Sequence, residues 1–190
     1  MNAIFESEGV YHVYSRAIGD EKLFRIDANY DYFLEKYQYF LGEHIQTLAY
    51  CLIPNHFHLL VKINDGVTNE TIVKAFADFL NSYSKSINKA FRRNGSLFQR
   101  KFKRKRIDTE DYLTRIVVYI HLNPVKHRLT RDPQNWNYSS FSAYLSERPS
   151  KLNRQLVLNW FGGLEGFRLS HQAISDLSIP EAFTLESDEG

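Results

Sequence analysis

Two histidines lie two positions apart in a stretch of the sequence that alternates like a strand. His56 and His58 alternate with Phe57 and Leu59, and this spacing places both imidazoles on one face of a sheet and the apolar side chains on the other. Two imidazoles on one face can hold a divalent metal ion between them. Ordinary surface or hydrogen-bonded histidines have the same spacing, so the spacing alone does not distinguish the two interpretations.

A tyrosine and an asparagine one helical turn apart form a second candidate. Tyr119 and Asn123 occupy neighbouring positions on one face of a predicted helix, so a phenol and an amide lie side by side. The simpler interpretation is a boundary tyrosine and an asparagine that ends the helix before Pro124. In combination with the two histidines, the phenol and the amide oxygen form a nucleophile beside an incomplete metal site.

The strands and helices that must position these residues follow one another in a regular order. Hydrophobic patterns predict strands over residues 10–18, 45–53, 56–63 and 97–107. Capping and stop signals predict helices within residues 27–42, 68–94 and 108–124. This order fits an α+β fold of the ferredoxin-like split βαβ type, in which helices back a central antiparallel sheet.

Charge is distributed unevenly along the 190 residues. The formal net charge is +2, but residues 171–190 hold five acidic residues and no Lys or Arg, so the other 170 residues carry 24 basic and 17 acidic side chains. Eight basic residues and no acidic residue lie between positions 92 and 106. Such a run is either a solvated basic face or a surface that binds a polyanion.

Hydropathy gives no indication of a membrane protein. The longest apolar run, residues 48–53, is far shorter than the roughly 18 residues that a transmembrane helix needs, and the N-terminus lacks the pattern of a signal peptide. We therefore expect a cytoplasmic protein. The single cysteine, Cys51, lies within this run and is expected to be a small buried side chain without a disulfide partner.

Five stretches of the sequence jointly resemble a known family. They are residues 11–13 (YHV) with Arg16, 52–61 (LIPNHFHLLV), 95–100 (GSLFQR), 119–125 (YIHLNPV) and 138–145 (YSSFSAYL). Through them the chain is similar to the single-tyrosine HUH transposases, and more narrowly to the REP-associated tyrosine transposases, an insertion-sequence transposase-like branch. The matches occur in family order, and their combination is specific although each alone is poor evidence.

The resemblance implies a metal-dependent DNA strand transferase that cuts one strand of single-stranded DNA, usually beside a hairpin. His56 and His58 match the histidine-hydrophobe-histidine motif, Asn123 matches the polar metal ligand, and Tyr119 matches the nucleophile. The family's product is a 5′-phosphotyrosine link with a free 3′-hydroxyl. Residues 1–129 would form the catalytic domain, and residues 130–190 would form a C-terminal helical extension that packs on or follows it, with a flexible acidic end.

The chemistry of these residue types agrees with that assignment. A tyrosine hydroxyl has a pKa of about 10, so it is a feeble nucleophile at neutral pH unless a cation stabilises the developing negative charge. Imidazoles and an amide oxygen with open coordination positions suit Mg²⁺ or Mn²⁺, whereas a closed set of four ligands would indicate structural zinc. Because the protein supplies few ligands, we expect DNA to complete the site.

The basic residues are expected to contact the phosphates of single-stranded or hairpin DNA, and some aromatic side chains are expected to stack on bases. Lys103 and Lys105 fit solvation and DNA contact equally well by sequence, and the resemblance favours contact. The full set of expected DNA contacts is Arg16, Arg92, Arg93, Arg100, Lys101, Lys103, Arg104, Lys105 and Arg106.

The remaining histidines receive structural interpretations. His12 shares a strand face with Tyr14 and is expected to support or pack rather than to bind metal, and His121 is expected to be structural. No partner can be identified from the sequence for the last three, which are His44, His127 and His171.

Other functions remain open at this point. The alternative to an active transposase is a protein derived from a transposase that binds hairpin DNA without cleaving it. However, a protein that only binds DNA has no need of a nucleophile beside metal ligands. A nuclease or replication initiator with the same chemistry is a third, which the small size and the lack of a helicase region disfavour. A homodimer is also open, in which Tyr119 could act in the partner's site.

Overall fold

The structure, a computed structural model, describes residues 3–99 and 102–173 of the chain. Its centre is a four-stranded antiparallel sheet with the strand order β2-β3-β1-β4. This arrangement of strands and helices confirms the α+β fold predicted from the sequence. The strands are β1 (Val10–Arg16), β2 (Ile45–Ile53), β3 (His56–Ile63) and β4 (Lys103–Arg106).

Helices cover both faces of the sheet and continue into the C-terminal region. The first two helices lie on one face and the third lies on the other. None of the helices among the described residues is both long and apolar enough to cross a bilayer. The helices are α1 (Asp27–Leu41), α2 (Asn69–Ala90), α3 (Glu110–Lys126), α4 (Phe141–Tyr144), α5 (Arg154–Trp160) and α6 (Leu164–Ala173), with a short 3₁₀ turn at Pro133–Asn135.

Alternation along β3 assigns its side chains to two separate apolar clusters. Phe57 and Leu59 are fully buried beneath α1 and α2, as the period of two predicts. Leu60 points the other way and packs in the cluster that includes Ile120 of α3. Because helices cover both faces, His58, which shares the face of Leu60, is also fully buried.

The basic strand is shorter than the sequence predicts. Only Lys103–Arg106 pair continuously with β1, although Phe98 forms an isolated bridge with Ala17. Ala17 lies three positions from Tyr14, whereas Phe98 lies five positions from Lys103, the partner of Tyr14, so one regular ladder cannot join the two pairs. The predicted strand over residues 97–107 is therefore wrong in length.

Pro124 does not end α3, contrary to the prediction. The helix continues to Lys126, with Pro124 inside its last turn, where the missing N–H removes one backbone hydrogen bond. The helix ends where Arg128 adopts a left-handed conformation with φ of 56°. The backbone N–H of His127 still donates to the carbonyl oxygen of Asn123 at 3.0 Å, so the turn that carries Asn123 stays regular.

The C-terminal segment closes the outer edge of β2. The backbone N–H of Leu52 donates to the carbonyl oxygen of Tyr138 at 2.9 Å, and that of Ser140 donates to Tyr50 at 2.9 Å. These bonds cover an edge that would otherwise expose unpaired backbone groups. The acidic end predicted to be flexible falls largely on residues 174–190, which lie outside the described part of the chain.

A buried chain of hydrogen bonds joins α6 to α3. His171 Nδ1 donates to the carbonyl oxygen of Phe167 at 2.7 Å, so its Nε2 is left as the acceptor for His121 Nδ1 at 2.9 Å. His121 Nε2 then accepts from the Ser140 hydroxyl at 2.7 Å. His171 therefore has partners that the sequence did not reveal, and His121 has the structural role predicted for it.

Because His171 is buried in this chain of hydrogen bonds, we expect the folded protein to lose stability in acid. Burial lowers the pKa of His171 to about 4, so the folded protein keeps this imidazole neutral while the unfolded chain protonates it below pH 6.5. Proton uptake by the unfolded chain destabilises the fold as the pH falls from about 6.5 to about 4. We expect the stability difference between wild type and His171→Gln to shrink by about 2 to 3 kcal/mol between pH 7 and pH 4.5.

Urea denaturation at a series of pH values measures this difference, because the contributions of titrating groups that do not contact His171 cancel between the two proteins. A difference that stays constant over this range would show that His171 does not titrate as its burial requires.

Candidate active site

The predicted site residues meet on the face of the sheet that α3 covers. β3 supplies His56 and His58, and one face of α3 supplies Tyr119 and Asn123. His56 Nε2 lies 3.2 Å from Asn123 Oδ1, and the rings of His58 and Tyr119 have centroids 5.3 Å apart with their planes nearly perpendicular. The structure therefore brings all four residues together within a single chain.

His56 is placed between two amide oxygens. Its Nδ1 lies 2.9 Å from Asn55 Oδ1, and its Nε2 faces Asn123 Oδ1, whose amide nitrogen donates to the carbonyl oxygen of Tyr119. A neutral imidazole carries one N–H, so with these amide orientations it can donate to only one of the two oxygens. When Nδ1 donates to Asn55, a lone pair of His56 faces a lone pair of Asn123, which is an arrangement that a cation stabilises.

The separation of His56 Nε2 and Asn123 Oδ1 fits two ligands of a hard divalent cation. Adjacent ligands of an octahedral Mg²⁺ ion with bonds of about 2.1 Å are about 3 Å apart. The distance of 3.2 Å between His56 Nε2 and Asn123 Oδ1 is close to this value. Within the described residues no group of three or more His, Cys, Asp or Glu side chains could hold a metal, so the candidate set depends on the amide of Asn123.

His58 is the most deeply enclosed member of the set. Its side chain has no exposed surface, its Nδ1 lies 2.8 Å from His12 Nε2, and its Nε2 has no hydrogen-bond partner among the described residues. Burial is the main reason why the pKa of His58 lies well below its ordinary value. A neutral imidazole with an unsatisfied nitrogen is the form that a metal ligand requires.

Tyr119 is almost completely buried, with 3% of its surface exposed. Its ring also lies edge-on to His12, at a centroid distance of 6.2 Å. The Lys126 ammonium lies 5.9 Å from the centre of the Tyr119 ring. The phenol thus lies between the imidazoles of the sheet and a cation from the end of its own helix.

Two residues of this region were not predicted from the sequence. Lys126 approaches the ring of Tyr119, and the His127 ring lies 4.7 Å from the ring of His56. Burial, followed by the charges of His127, Arg16 and Lys126, lowers the pKa of His56 to about 3. Residues 119, 123, 126 and 127 follow helical spacing, so this periodicity could have identified both.

β4 directs its basic side chains to opposite faces of the sheet. Lys103 pairs with Tyr14 and Lys105 pairs with His12, so both lysines lie on the face of the candidate site. The Arg104 guanidinium lies on the other face, 4.6 Å from the centre of the Phe5 ring.

Arg93 and Arg106 form ion pairs within the chain. Arg93 lies 2.9 Å from Glu21, and Arg106 lies 2.6 Å from Asp108 and also contacts Glu6. Arg92 is exposed, and Arg16 lies opposite His56 in the sheet register. The predicted contacts Arg100 and Lys101 lie outside the described residues. For all of these residues, contact with DNA stays a prediction.

Comparisons with known proteins agree with the motifs. The family model described as "Transposase IS200 like" matches residues 10–123, which include all four residues of the candidate site. A REP-associated tyrosine transposase of Haemophilus influenzae (strain ATCC 51907 / DSM 11121 / KW20 / Rd) is 31% identical over 103 residues, which are 50% of this chain and 58% of that protein. The family match confirms the resemblance predicted from the sequence.

A solved structure provides the corresponding comparison of folds. The structure of a REP-associated tyrosine transposase bound to a REP hairpin matches this chain with a TM-score of 0.62 and 18% sequence identity. The match covers 78% of this chain and 87% of that chain. The two proteins therefore share a fold.

The geometry predicts that Asn123 contributes to metal binding. We expect Asn123→Ala to weaken the binding of Mn²⁺ by about tenfold or more, because the amide oxygen that would hold the cation is removed. Titration of Mn²⁺ followed by electron paramagnetic resonance measures the affinity. Asn81→Ala removes an exposed asparagine of α2, on the opposite face of the sheet, and should leave the affinity unchanged. Equal affinities of Asn123→Ala and wild type would exclude Asn123 as a ligand.

Proposed function

The chain belongs to the family of IS200-like transposases, and from this premise we propose that it cuts and rejoins one strand of DNA beside a hairpin. In this proposal Tyr119 is the nucleophile, and His56, His58 and Asn123 hold a divalent metal, Mg²⁺ or Mn²⁺. The reaction proceeds through a 5′-phosphotyrosine intermediate.

The observation that carries the proposal is the convergence of a phenol with two imidazoles and an amide oxygen. The Tyr119 and His58 rings are 5.3 Å apart, and the His56 and Asn123 ligand atoms are 3.2 Å apart. These side chains come from two elements that are distant in sequence, and they meet at a place where one buried nitrogen is unsatisfied. Buried unsatisfied groups are rare in folded proteins, so a ligand at this nitrogen is the simplest explanation.

Each residue of the site would have a separate role in the proposed reaction. A divalent metal bound to His56, His58 and Asn123 would withdraw negative charge from the oxygens of the scissile phosphate. The positive charge of Lys126, near the Tyr119 ring, would favour the phenolate form of the nucleophile. The enclosed position of Tyr119 would keep bulk water away from the phosphotyrosine bond.

The bonds made and broken balance without an energy source. The Tyr119 oxygen attacks phosphorus and loses its proton, while the bond from phosphorus to the 3′ oxygen breaks and that oxygen leaves as a hydroxyl. A 3′-hydroxyl of a second strand end reverses these events, and the proton returns to Tyr119. One phosphoester replaces another in each step, so no ATP is required.

Hairpin DNA is the proposed substrate. The structural neighbour with the same fold was solved with a REP hairpin, and Lys103 and Lys105 of this chain lie on the face of the sheet that carries the site. Backbone phosphates on this face would meet positive charge beside the nucleophile. The proximity of Tyr119 to His58 of the same chain supports action in its own site rather than in that of a second copy.

Removal of the Tyr119 hydroxyl provides the direct test of the proposed chemistry. We expect Tyr119→Phe to bind hairpin DNA with unchanged affinity but to form no covalent adduct, because the attacking oxygen is absent. The wild type, incubated with Mn²⁺ and a hairpin with a single-stranded flank, should become linked to the 3′-labelled fragment on a denaturing gel. With a 5′ label the cut fragment should migrate as free DNA.

Tyr112→Phe is the matched control, because Tyr112 lies on the same helix and is 37% exposed. It should form the adduct as the wild type does. An adduct with Tyr119→Phe would show that another residue is the nucleophile. A wild type that binds the hairpin tightly but forms no adduct would instead support a protein that has retained binding and lost cleavage.

The two lysines of β4 should determine part of the salt dependence of DNA binding. Replacing Lys103 and Lys105 with glutamine should lower the slope of log Kd against log salt concentration by about 1.5, because two phosphate contacts are lost. Fluorescence anisotropy with a labelled hairpin measures this slope. Lys85 and Lys89 are exposed on α2, beyond the opposite face of the sheet, and their double replacement makes the same change in charge. A similar slope change in both variants would mean that the DNA does not follow the face that carries the site.

A further inference from the structure

His12 and His58 form a hydrogen-bonded pair that is fully enclosed. His12 lies on β1 and His58 on β3, neither side chain has exposed surface, and His12 Nε2 is 2.8 Å from His58 Nδ1. The two rings are nearly parallel, with 17° between their planes. Each ring has one further nitrogen, His12 Nδ1 and His58 Nε2, without a hydrogen-bond partner among the described residues.

One proton lies between the two rings, and its position determines what His58 offers to the site. If His58 Nδ1 donates to His12 Nε2, the other nitrogen of neutral His58 carries a lone pair. If His12 Nε2 donates instead, His58 Nε2 must carry its proton and presents an N–H. Only the first arrangement allows His58 Nε2 to bind a cation.

We propose that His12 is a positioning residue, which accepts a hydrogen bond from His58 and so keeps the His58 Nε2 lone pair directed into the candidate metal site. This inference rests on the proposed function, because it assumes that His58 is a ligand. It assigns to an imidazole the part that a carboxylate or carbonyl oxygen plays behind many metal-bound histidines.

The surroundings of His12 are consistent with an acceptor. A protonated His12 would donate from both nitrogens and would force the opposite arrangement on His58. His12 is fully buried and lies opposite Lys105 in the sheet register, and both features disfavour a charged ring, so the ring is neutral and keeps one lone pair. The Tyr14 ring stacks on His12 at a centroid distance of 4.8 Å and restricts its orientation.

A purely structural role would not explain this pair. Two buried imidazoles with one unsatisfied nitrogen each are poorer core residues than two apolar rings of similar size, which would leave no polar atom without a partner. Binding of a cation by His58 Nε2 removes one of the two unsatisfied nitrogens. Ligand orientation therefore accounts for the unsatisfied nitrogen of His58, which stability alone does not explain.

The position of the shared proton can be read directly by nuclear magnetic resonance. In protein labelled with ¹⁵N at histidine, long-range ¹H–¹⁵N correlations distinguish a protonated ring nitrogen from one with a lone pair. In the presence of saturating Mg²⁺ we expect His58 to be protonated at Nδ1 only and His12 at Nδ1 only. A His58 that is protonated at Nε2 under these conditions would overturn the proposal, and this measurement requires no variant.

Mn²⁺ affinity tests the same pair by substitution. His12→Phe keeps a ring of similar size but cannot accept the hydrogen bond, and it should weaken Mn²⁺ binding by about 10- to 100-fold. His12→Gln retains an acceptor near the position of Nε2 and should restore the affinity to within about threefold of wild type, since the bond to His58 is re-formed. Equal affinities of His12→Phe and wild type would refute the role of His12.

Substitutions at the histidines distinguish the role of His12 from the existence of the metal site. If His58→Phe abolishes Mn²⁺ binding while His12→Phe does not, His58 is a ligand that needs no help from His12, and only the further inference is wrong. If Mn²⁺ binding is insensitive to His56→Phe and His58→Phe, the proposed metal site is itself wrong, and the inference is wrong with it.

Discussion

A helix that lies across the histidine-bearing face of the sheet is the constraint on which the candidate site depends. Because α3 covers this face, the imidazoles lose contact with water and stay neutral, and their polar atoms must find partners within the protein. His56 finds Asn55 and Asn123, and His58 finds His12 at one of its nitrogens. Burial thus produces the protonation state that metal binding requires, and it leaves His58 Nε2 without a hydrogen-bond partner among the described residues.

The same packing positions the candidate nucleophile, Tyr119. Tyr119 and Asn123 are one turn apart on α3. Where α3 crosses the sheet, the phenol therefore lies beside His58 and the amide lies beside His56. α3 is held in turn by the C-terminal region, through the hydrogen bonds from Ser140 to His121 and from His121 to His171. The position of the site therefore depends on residues about 50 positions further along the chain, and stability and function share these contacts.

The alternation of side chains along β4 places its basic residues on two faces of the sheet, where they make different contacts. Lys103 and Lys105 lie on the face of the site, whereas Arg104 stacks on Phe5 beneath the other face and Arg106 pairs with Asp108. A run of basic residues in the sequence is therefore not a uniform surface. In this protein, the strand period of two directs part of the charge toward the site and uses the rest to hold the N-terminal segment against the sheet.

Hydrophobic period and capping signals determined the bounds of β2 and β3 and the approximate extent of α1, α2 and α3, because these patterns are local and each residue type carries its own preference. The spacing of side chains and the family resemblance selected the four candidate residues. The length of β4, the pairing of His12 with His58, and the approach of Lys126 and His127 to the site were decided by the tertiary structure alone. Strand register and the angle at which a helix crosses a sheet arise from the packing of the whole core, and no short window of sequence contains that information.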